Sequence, residues 1–222
     1  GFTFQRSFTI IKKSRLDPGT GIAVKRGEQN MTEQEKMLSG ELYYAGGPEL
    51  SSARQRAKEL CQRFNQTAVS NPEEGVRLLQ ELFGQVGEAV SIQPMFWCDY
   101  GFNIQMGSYV EINHNCVILD CAKVTFGDHV LIGPNCGFYT AGHPLDACTR
   151  NAGLEFARPI TVGDNVWFGG GITVLPGVTI GSGSVIGAGS VVSRDIPPNV
   201  VAVGNPCRVV RPIFPEGASE KA

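Results

Sequence analysis

The chain has 222 residues, of which 42% are hydrophobic and 18% charged, and its formal net charge at pH 7 is −2. This length suffices for one domain with an accessory segment, and the small net charge gives no electrostatic basis for binding nucleic acid or an anionic membrane. The sequence contains no run of 18 apolar residues, which is about the length that a membrane-spanning helix requires. The seven cysteines include no C-x-x-C pair, which is typical of small buried side chains in a reducing compartment and predicts a cytoplasmic protein.

The first 30 residues differ from the rest of the chain. They contain Lys12, Lys13 and Arg15 and show no repeat, and they lack the apolar core of a signal peptide. We expect residues 1–30 to be an N-terminal extension, with Met31 as the natural start.

Residues 31–87 predict a small helical segment. A short helix is expected over Glu33–Ser39 and a longer one over Ser51–Thr67, followed by a third helix with Asn71 as its N-cap. The apolar positions at helical spacing are Ala53, Ala57, Leu60 and Phe64 in the second helix, and Val76, Leu79, Leu82 and Phe83 in the third. Such a segment would protect the open end of a repeat structure.

From residue 88 to residue 213 the chain follows a six-residue repeat. Aliphatic or aromatic residues occupy one register: Val162, Phe168, Val174, Ile180, Ile186 and Val192. Apolar or small residues lie two positions earlier, and glycine follows directly in four of these six hexads. Alternation sends these residues inward along short strands, and glycine permits the tight corners. The pattern predicts a parallel β-solenoid of hexapeptide repeats with about five turns.

The repeat is interrupted twice. The register of Met106, Ile112 and Ile118 lies two residues out of phase with that of the later hexads, which places a slip between Cys121 and Val124. Residues 140–159 fit no hexad and predict a loop excursion, and residues 214–222 predict a C-terminal tail.

The outward positions of the repeat contain both threonine and apolar residues. Trp167, Val185 and Val191 face outward in this register, among outward threonines. Exposed apolar residues at regular positions indicate that a second surface packs there.

His143 is the histidine with the most suggestive surroundings. It lies between Gly142 and Pro144, where the chain leaves the solenoid. An imidazole on a loop from a rigid scaffold suits a general base, although an exposed loop histidine without a role fits the same pattern. His114 and His129 are 15 residues apart with no close histidine or cysteine pair, so we expect no metal site.

Three polar residues at irregular positions have two interpretations each. Asn113 occupies the corner position where other hexads have glycine. Either it is there because asparagine tolerates a left-handed backbone, or its amide contacts a ligand. Asp99 and Asp120 are either solvated loop acids or acceptors for sugar hydroxyls.

Several longer motifs resemble one known family. They are Asp99 to Ile104, Cys116 to Asp120, Thr140 to Asp146, Arg150 to Glu155, Asn165 to Gly170 and Gly204 to Arg208. In this order they closely resemble the maltose and galactoside O-acetyltransferases, a branch of the hexapeptide-repeat acyltransferases. The resemblance extends from about Met31 to Pro212.

This resemblance implies an all-β left-handed parallel β-helix that assembles as a homotrimer, with active sites between subunits. It implies direct transfer of acetyl from acetyl-CoA to a sugar hydroxyl, without a required metal. By matching positions, His143 is the general base, Asn113 stabilises the transition state, and Asp99, Glu111, Asn113 and Asp120 contact the sugar. The matched acetyl-CoA positions are Trp167, Gly170, Ala188, Ser193, Arg194, Arg208 and Arg211.

The acceptor is less well defined than the reaction. Cys121, Glu111 and Ala45 depart from the galactoside branch, and the motif from Cys116 to Asp120 is closer to the maltose branch, so we expect a glucose- or maltose-type acceptor. The alternatives are an acetyltransferase of this fold for another acceptor (a galactoside, an oligosaccharide or a xenobiotic), a γ-type carbonic anhydrase, and a non-catalytic β-helix.

Overall fold

The computed structural model describes residues 31–213. The predicted extension at 1–30 and the predicted tail at 214–222 lie outside the described residues. The helices are α1 (Glu33–Ser39), α2 (Pro48–Thr67), α3 (Pro72–Leu82) and α4 (Ala147–Asn151). The strands are β1 (Tyr43–Tyr44), β2 (Gln85–Val86), β3 (Ser91–Ile92), β4 (Phe96–Cys98), β5 (Ile104–Met106), β6 (Glu111–Ile112), β7 (Cys116–Leu119), β8 (Val124–Phe126), β9 (Leu131–Ile132), β10 (Gly137–Tyr139), β11 (Ala141–Gly142), β12 (Leu154–Ala157), β13 (Ile160–Val162), β14 (Trp167–Phe168), β15 (Thr173–Val174), β16 (Thr179–Ile180), β17 (Val185–Ile186), β18 (Val191–Val192), β19 (Val200–Val203) and β20 (Arg208–Pro212).

Side-chain capping residues mark the N-terminal ends of α1 and α3. The Thr32 hydroxyl accepts the N–H of Glu35, whose carboxylate returns a bond to the N–H of Thr32. Asn71 caps α3 as predicted, because its side-chain oxygen accepts the N–H of Glu74 at 3.2 Å. The predicted buried face of α3 was partly wrong. The face lies on Gly75, Leu78, Leu79 and Leu82, spaced i, i+3, i+4 and i+7, which leaves Val76 48% exposed.

Three parallel sheets form the walls of a solenoid. Face 1 contains β2, β5, β8, β13 and β16; face 2 contains β3, β6, β9, β14, β17 and β19; face 3 contains β4, β7, β10, β15 and β18. The chain visits the faces in this order through five full turns and begins a sixth with Ile196, which bridges to Ile180 on face 1, and β19 on face 2. This confirms the predicted solenoid. The antiparallel strand β20 then closes the end of face 2.

The core is the predicted apolar column. Side chains at the repeat positions are buried from Ile104 to Ala202, and Phe126, Phe138 and Phe168 pack edge to face, with ring centroids 5.1 and 5.3 Å apart. All seven cysteines are free thiols; six are buried, as expected of small apolar side chains, and Cys148 is exposed. Stacking thus buries surface that no single hexad could bury.

The irregular segments all lie at one edge of the solenoid, which we call edge 3–1 because the chain passes there from face 3 to face 1. Inward residues are six positions apart at the other two edges, whereas at edge 3–1 the spacing is eight from Cys98 to Met106 and eight from Ile118 to Phe126. The predicted slip near Cys121 is therefore an enlarged corner. The next passage over this edge is the excursion, which leaves after Tyr139 and returns at Ile160.

The excursion folds back on the helical segment. Strand β12 pairs with β11 on one side and with β1 on the other, both antiparallel. This three-stranded sheet connects the N-terminal segment to the loop that carries His143. Within residues 31–213, no helix is long and apolar enough to cross a membrane.

Candidate active site

A groove on face 2 contains three of the predicted site residues. Glu111, Asn113 and Trp167 line it together with Gln93 and Leu131, and its volume is about 250 Å³. Glu111, Leu131 and Trp167 are neighbours on adjacent strands, because β6 pairs with β9 and β9 with β14 in register. Trp167 is 54% exposed, so the indole ring forms an open apolar wall of the groove.

Asn113 begins the corner between faces 2 and 3, which we call edge 2–3. Its side-chain oxygen accepts the N–H of His114 at 2.7 Å, which leaves the amide NH₂ as a donor. The left-handed residue of this corner is Asn115, with φ of 62°, so conformational tolerance does not explain the asparagine at 113.

Gly170 and Ala188 lie further along edge 2–3. The N–H of Asn113 donates to Ile132, that of Gly133 to Phe168 and that of Gly169 to Ile186, so these corners stack in one column. The Gly170 carbonyl accepts the N–H of Gly189 at 2.9 Å. Among residues 31–213, no acceptor is found for the N–H of Gly170, which makes it a candidate donor to a ligand.

A second pocket lies at edge 3–1 and contains Asp99. It has a volume of about 340 Å³ and is bounded by Arg54, Lys58, Tyr100, Cys121 and Glu155, among others. Burial raises the pKa of Asp99, while the Cys121 thiol, which donates to its Oδ2 at 3.4 Å, and the Arg54 guanidinium act in the opposite direction. The pocket therefore presents carboxylates and cationic donors to one small volume.

Arg54 and Glu155 also line this pocket, although their sequence positions did not mark them as candidate site residues. Arg54 of α2 donates to the Tyr100 hydroxyl at 2.7 Å and to the Ala45 carbonyl at 2.6 Å. Glu155 of β12 accepts a hydrogen bond from the Tyr43 hydroxyl at 3.0 Å. Glu155 belongs to a motif of the family resemblance, which was a usable signal. Arg54 carried no local signal, because a polar residue on a helix is ordinarily solvated.

His143 is exposed and follows β11, in the excursion at edge 3–1, the edge at which Asp99 also lies. Its strand is held by β12, through the pairs Ala141 with Ala157 and Gly142 with Phe156. At the base of the excursion, buried Thr140 donates its hydroxyl to the Leu119 carbonyl at 2.6 Å. The excursion is therefore anchored by strand pairing and by this hydrogen bond close to His143.

Asp120 differs from both sequence interpretations, because it is neither solvated nor open to a ligand. Its side chain is completely buried, and its oxygens accept backbone N–H groups from Asp99, Tyr100 and Asn103. Desolvation raises the pKa of Asp120 to about 6. The carboxylate lies beneath the loop that carries Asp99, so it has no exposed surface for the expected contact with a sugar.

The predicted acetyl-CoA residues near the C-terminus are exposed. Ser193 and Arg194 follow β18 at edge 3–1, whereas Arg208 and Arg211 lie on β20. Arg211 pairs with Val201, which continues the outward row of face 2 from Trp167 through Val185. With about 4.8 Å between strands, this row places Arg211 roughly 14 Å from Trp167.

One protomer thus carries two separate groups of candidate site residues. Asn113, Glu111, Trp167, Gly170 and Ala188 lie on face 2 and edge 2–3, whereas His143 and Asp99 lie at edge 3–1. His114 and His129 lie at different corners, and residues 31–213 contain no group of three side chains that could hold a metal ion.

Two family models match the chain. Residues 36–87 match the maltose acetyltransferase hexapeptide capping motif, and residues 159–194 match the bacterial transferase hexapeptide with six repeats. The first match covers the helical segment and the second covers part of the solenoid.

Similar proteins are found along nearly the whole described chain. Nodulation protein L of Rhizobium meliloti is 50% identical over 178 residues, which is 80% of this chain and 97% of that protein. A maltose O-acetyltransferase from Clostridium difficile 630 has a TM-score of 0.82 at 49% identity, covering 83% of this chain and 99% of the other. A hexapeptide-repeat acetyltransferase from Vibrio cholerae, complexed with acetyl-CoA, has a TM-score of 0.78 at 42% identity, covering 83% and 100%.

Proposed function

Because the chain belongs to the hexapeptide-repeat acetyltransferases that carry the maltose acetyltransferase capping motif, we propose that it transfers acetyl from acetyl-CoA to a sugar hydroxyl. Membership makes the protein an acetyltransferase with the left-handed β-helix fold, and acetyl-CoA is its acetyl donor. The acceptor, the catalytic base and the assembly are the proposed parts.

The pocket at edge 3–1 supports a sugar as the acceptor. Sugars are held by carboxylates and cationic donors that exchange hydrogen bonds with hydroxyls, and Asp99, Arg54 and Glu155 bring such groups to one pocket. A glucose- or maltose-type ring is favoured, since the chain is similar to a maltose O-acetyltransferase over most of its length.

His143 is the proposed general base. A sugar hydroxyl is barely ionised near neutral pH, so its attack on a thioester requires a base within hydrogen-bond reach. The imidazole takes the hydroxyl proton as the oxygen attacks the carbonyl carbon. When the tetrahedral intermediate collapses, the carbon–sulfur bond breaks and the imidazolium returns the proton to the leaving thiolate. The products are the acetylated sugar and CoA, with no acyl-enzyme.

Edge 2–3 supplies the groups for the thioester. The free N–H of Gly170 is suited to the oxygen that becomes negative in the transition state, and the Asn113 amide is a second donor on the same edge. The outward row from Trp167 to Arg211 can accommodate a cofactor with a reactive end and a phosphate end.

The separation of the two groups supports a homotrimer with active sites between subunits. His143 and Asn113 lie at different edges of one solenoid, so the edge 3–1 of one copy must meet face 2 of the next to complete a site. Exposed Leu131 and Trp167 on face 2 provide apolar surface for this packing.

The observation that carries the proposal is the pocket of Asp99, Arg54 and Glu155 beside the His143 strand. Its test is thiol release from acetyl-CoA in the presence of glucose, maltose, galactosides, oligosaccharides and non-sugar alcohols and amines. We expect glucose or maltose to give the highest kcat/KM. Turnover confined to non-sugar acceptors would overturn the sugar assignment and leave the acetyltransferase assignment intact.

A further inference from the structure

The enlarged corner of edge 3–1 contains a carboxylate that no ligand can reach. Asp120 follows β7 and has no exposed surface. Its Oδ1 accepts the N–H of Asp99 at 3.1 Å and of Tyr100 at 2.8 Å, and its Oδ2 accepts the N–H of Asn103 at 3.3 Å. The Asn103 side chain returns a bond to the Asp120 carbonyl at 2.7 Å. One side chain therefore holds both ends of the loop at 99–103.

The same loop supports the acceptor pocket from two directions. It carries Asp99 directly, and it carries the buried Tyr100, whose hydroxyl accepts a hydrogen bond from Arg54. Gly101 makes the turn possible with φ of +79°, and a Cβ there would meet Leu82 at 2.5 Å. Asp120 accepts the backbone N–H groups of Asp99, Tyr100 and Asn103, and these three hydrogen bonds hold the loop in place.

We propose that Asp120 is a positioning residue for the acceptor, which fixes Asp99 and, through Tyr100, Arg54 at the separation that the acceptor requires. This inference rests on the proposed function, because it takes the Asp99 pocket as the acceptor site.

A carboxylate is the side chain that this corner needs. Two oxygens with several lone pairs can accept three N–H donors at once, whereas an asparagine has one acceptor oxygen and would direct its NH₂ at one of the donors. Burying the charge has a free-energy cost that a purely structural corner need not bear. The turn at Asp128 avoids this cost, because its carboxylate is exposed and still accepts the N–H of Ser108 at 2.7 Å.

The test is the substitution Asp120→Asn, with Asp128→Asn as the matched control. Asp128 accepts a backbone N–H at a different edge and lines neither pocket. We expect Asp120→Asn to raise the KM for the acceptor about tenfold while the KM for acetyl-CoA changes by less than about twofold. The control should leave both constants near their original values. A lower kcat with an unchanged acceptor KM would show a merely structural role and overturn the inference.

A second comparison tests whether Asp120 acts through Asp99. In an Asp99→Ala background, adding Asp120→Asn should raise the acceptor KM by a much smaller factor than it does alone, since the group it positions is absent. Full multiplication of the two effects would contradict positioning. Amide hydrogen exchange gives a readout without acceptor, because Asp120→Asn should speed exchange at Tyr100 and Asn103, and unchanged exchange would also overturn the inference.

These outcomes separate the inference from the proposed function. The KM comparison uses whichever acceptor the screen identifies. If that acceptor is not a sugar, the proposed function fails while the positioning role is still measured. If a sugar is acetylated and Asp120→Asn leaves the KM for that acceptor unchanged, only the inference about Asp120 fails.

Discussion

At the scale of single residues, side chains of the same type have different surroundings in this protein. Asp99 and Asp120 both follow strands of face 3, yet one lines a pocket and the other is sealed beneath it. His143 is exposed on an anchored strand, whereas His114 contacts the Pro94 carbonyl through its ring. Burial and local contacts therefore separate residues that look alike in the sequence.

The proposed role of His143 as general base predicts a large loss of turnover when its imidazole is removed. His143→Ala should lower kcat by roughly 10²–10⁴-fold, the usual contribution of general base catalysis. The KM for acetyl-CoA and the oligomer mass should change little, because the side chain supports neither the core nor the phosphates. Steady-state kinetics with the best acceptor measure this, with His129→Ala as the control. Near wild-type turnover would exclude His143 as the base.

Arg208 predicts an effect on binding instead of chemistry. Its guanidinium is exposed and donates to the Cys207 carbonyl of its own chain at 2.7 Å, which leaves other donors for a phosphate. Arg208→Ala should raise the KM for acetyl-CoA roughly tenfold and leave kcat at saturation nearly unchanged. Arg77→Ala, on the exposed side of α3, is the control. An unaltered KM would mean that Arg208 is solvated in the complex.

Asp120 predicts a pH dependence of stability. Burial raises its pKa to about 6, above the ordinary value of 3.8, so the folded state holds this proton more tightly than the unfolded state. The stability that protonation contributes is fully present below about pH 4 and is lost as the pH rises through about 6, on the order of 3 kcal/mol. The free energy of unfolding of the wild type minus that of Asp120→Asn should fall across this range. Denaturant unfolding at pH 4, 5, 6 and 7 measures it, and a flat difference would contradict the burial of an ionisable group.

At the scale of elements, short strands and short helices depend on what stacks against them. Most strands of the solenoid have two or three residues, too few to persist alone, and they gain stability from the rungs above and below. The helical segment covers the first rung: α2 packs against β4, and Phe83 contacts Phe96 edge to face at 5.6 Å. The helices therefore close one end of the apolar column.

The cap of α3 is a local contribution that can be measured. Asn71→Ala removes the acceptor for the N–H of Glu74 and should lower the free energy of unfolding by about 1 kcal/mol. Ser70→Ala is a suitable control, since Ser70 is an exposed neighbour outside the cap. Thermal and denaturant unfolding give the comparison, and equal losses in both variants would argue against the cap.

At the scale of the whole molecule, the proposed homotrimer would complete each site with residues from two copies of the chain. The His143 group and the Asn113 group belong to different edges, and Leu131 and Trp167 expose apolar surface on face 2. A trimer in which neighbouring copies meet along these edges would contain three equivalent sites.

This arrangement predicts complementation between two inactive variants. His143→Ala and Asn113→Ala homotrimers should each be nearly inactive, whereas trimers formed by co-expression should recover on the order of a quarter of the wild-type activity, because some interfaces then combine two intact halves. Activity of separately purified proteins mixed without exchange is the control. No recovery in co-assembled trimers would place both residues in one subunit's site.

Assembly itself has a direct measurement. Light scattering should give three times the 23.9 kDa of one chain at micromolar concentration, and Trp167→Asp should reduce both the mass and the activity. A monomeric mass for an active wild-type protein would rule out sites between subunits.

The sequence by itself determined the solenoid, the position of its slip and the helical segment, because a six-residue period and helix caps are local patterns whose physical meaning does not depend on distant residues. It also marked His143, Asn113 and Gly170 through the family resemblance. Only the tertiary structure decided that Arg54 and Glu155 join Asp99, that Val76 is exposed, and that Asp120 is sealed under a loop. The exposure of Val76 depends on how α3 packs, and the other two facts depend on how α2, the excursion and the enlarged corners meet at edge 3–1. Contacts between residues that are distant in the chain leave no local pattern in the sequence.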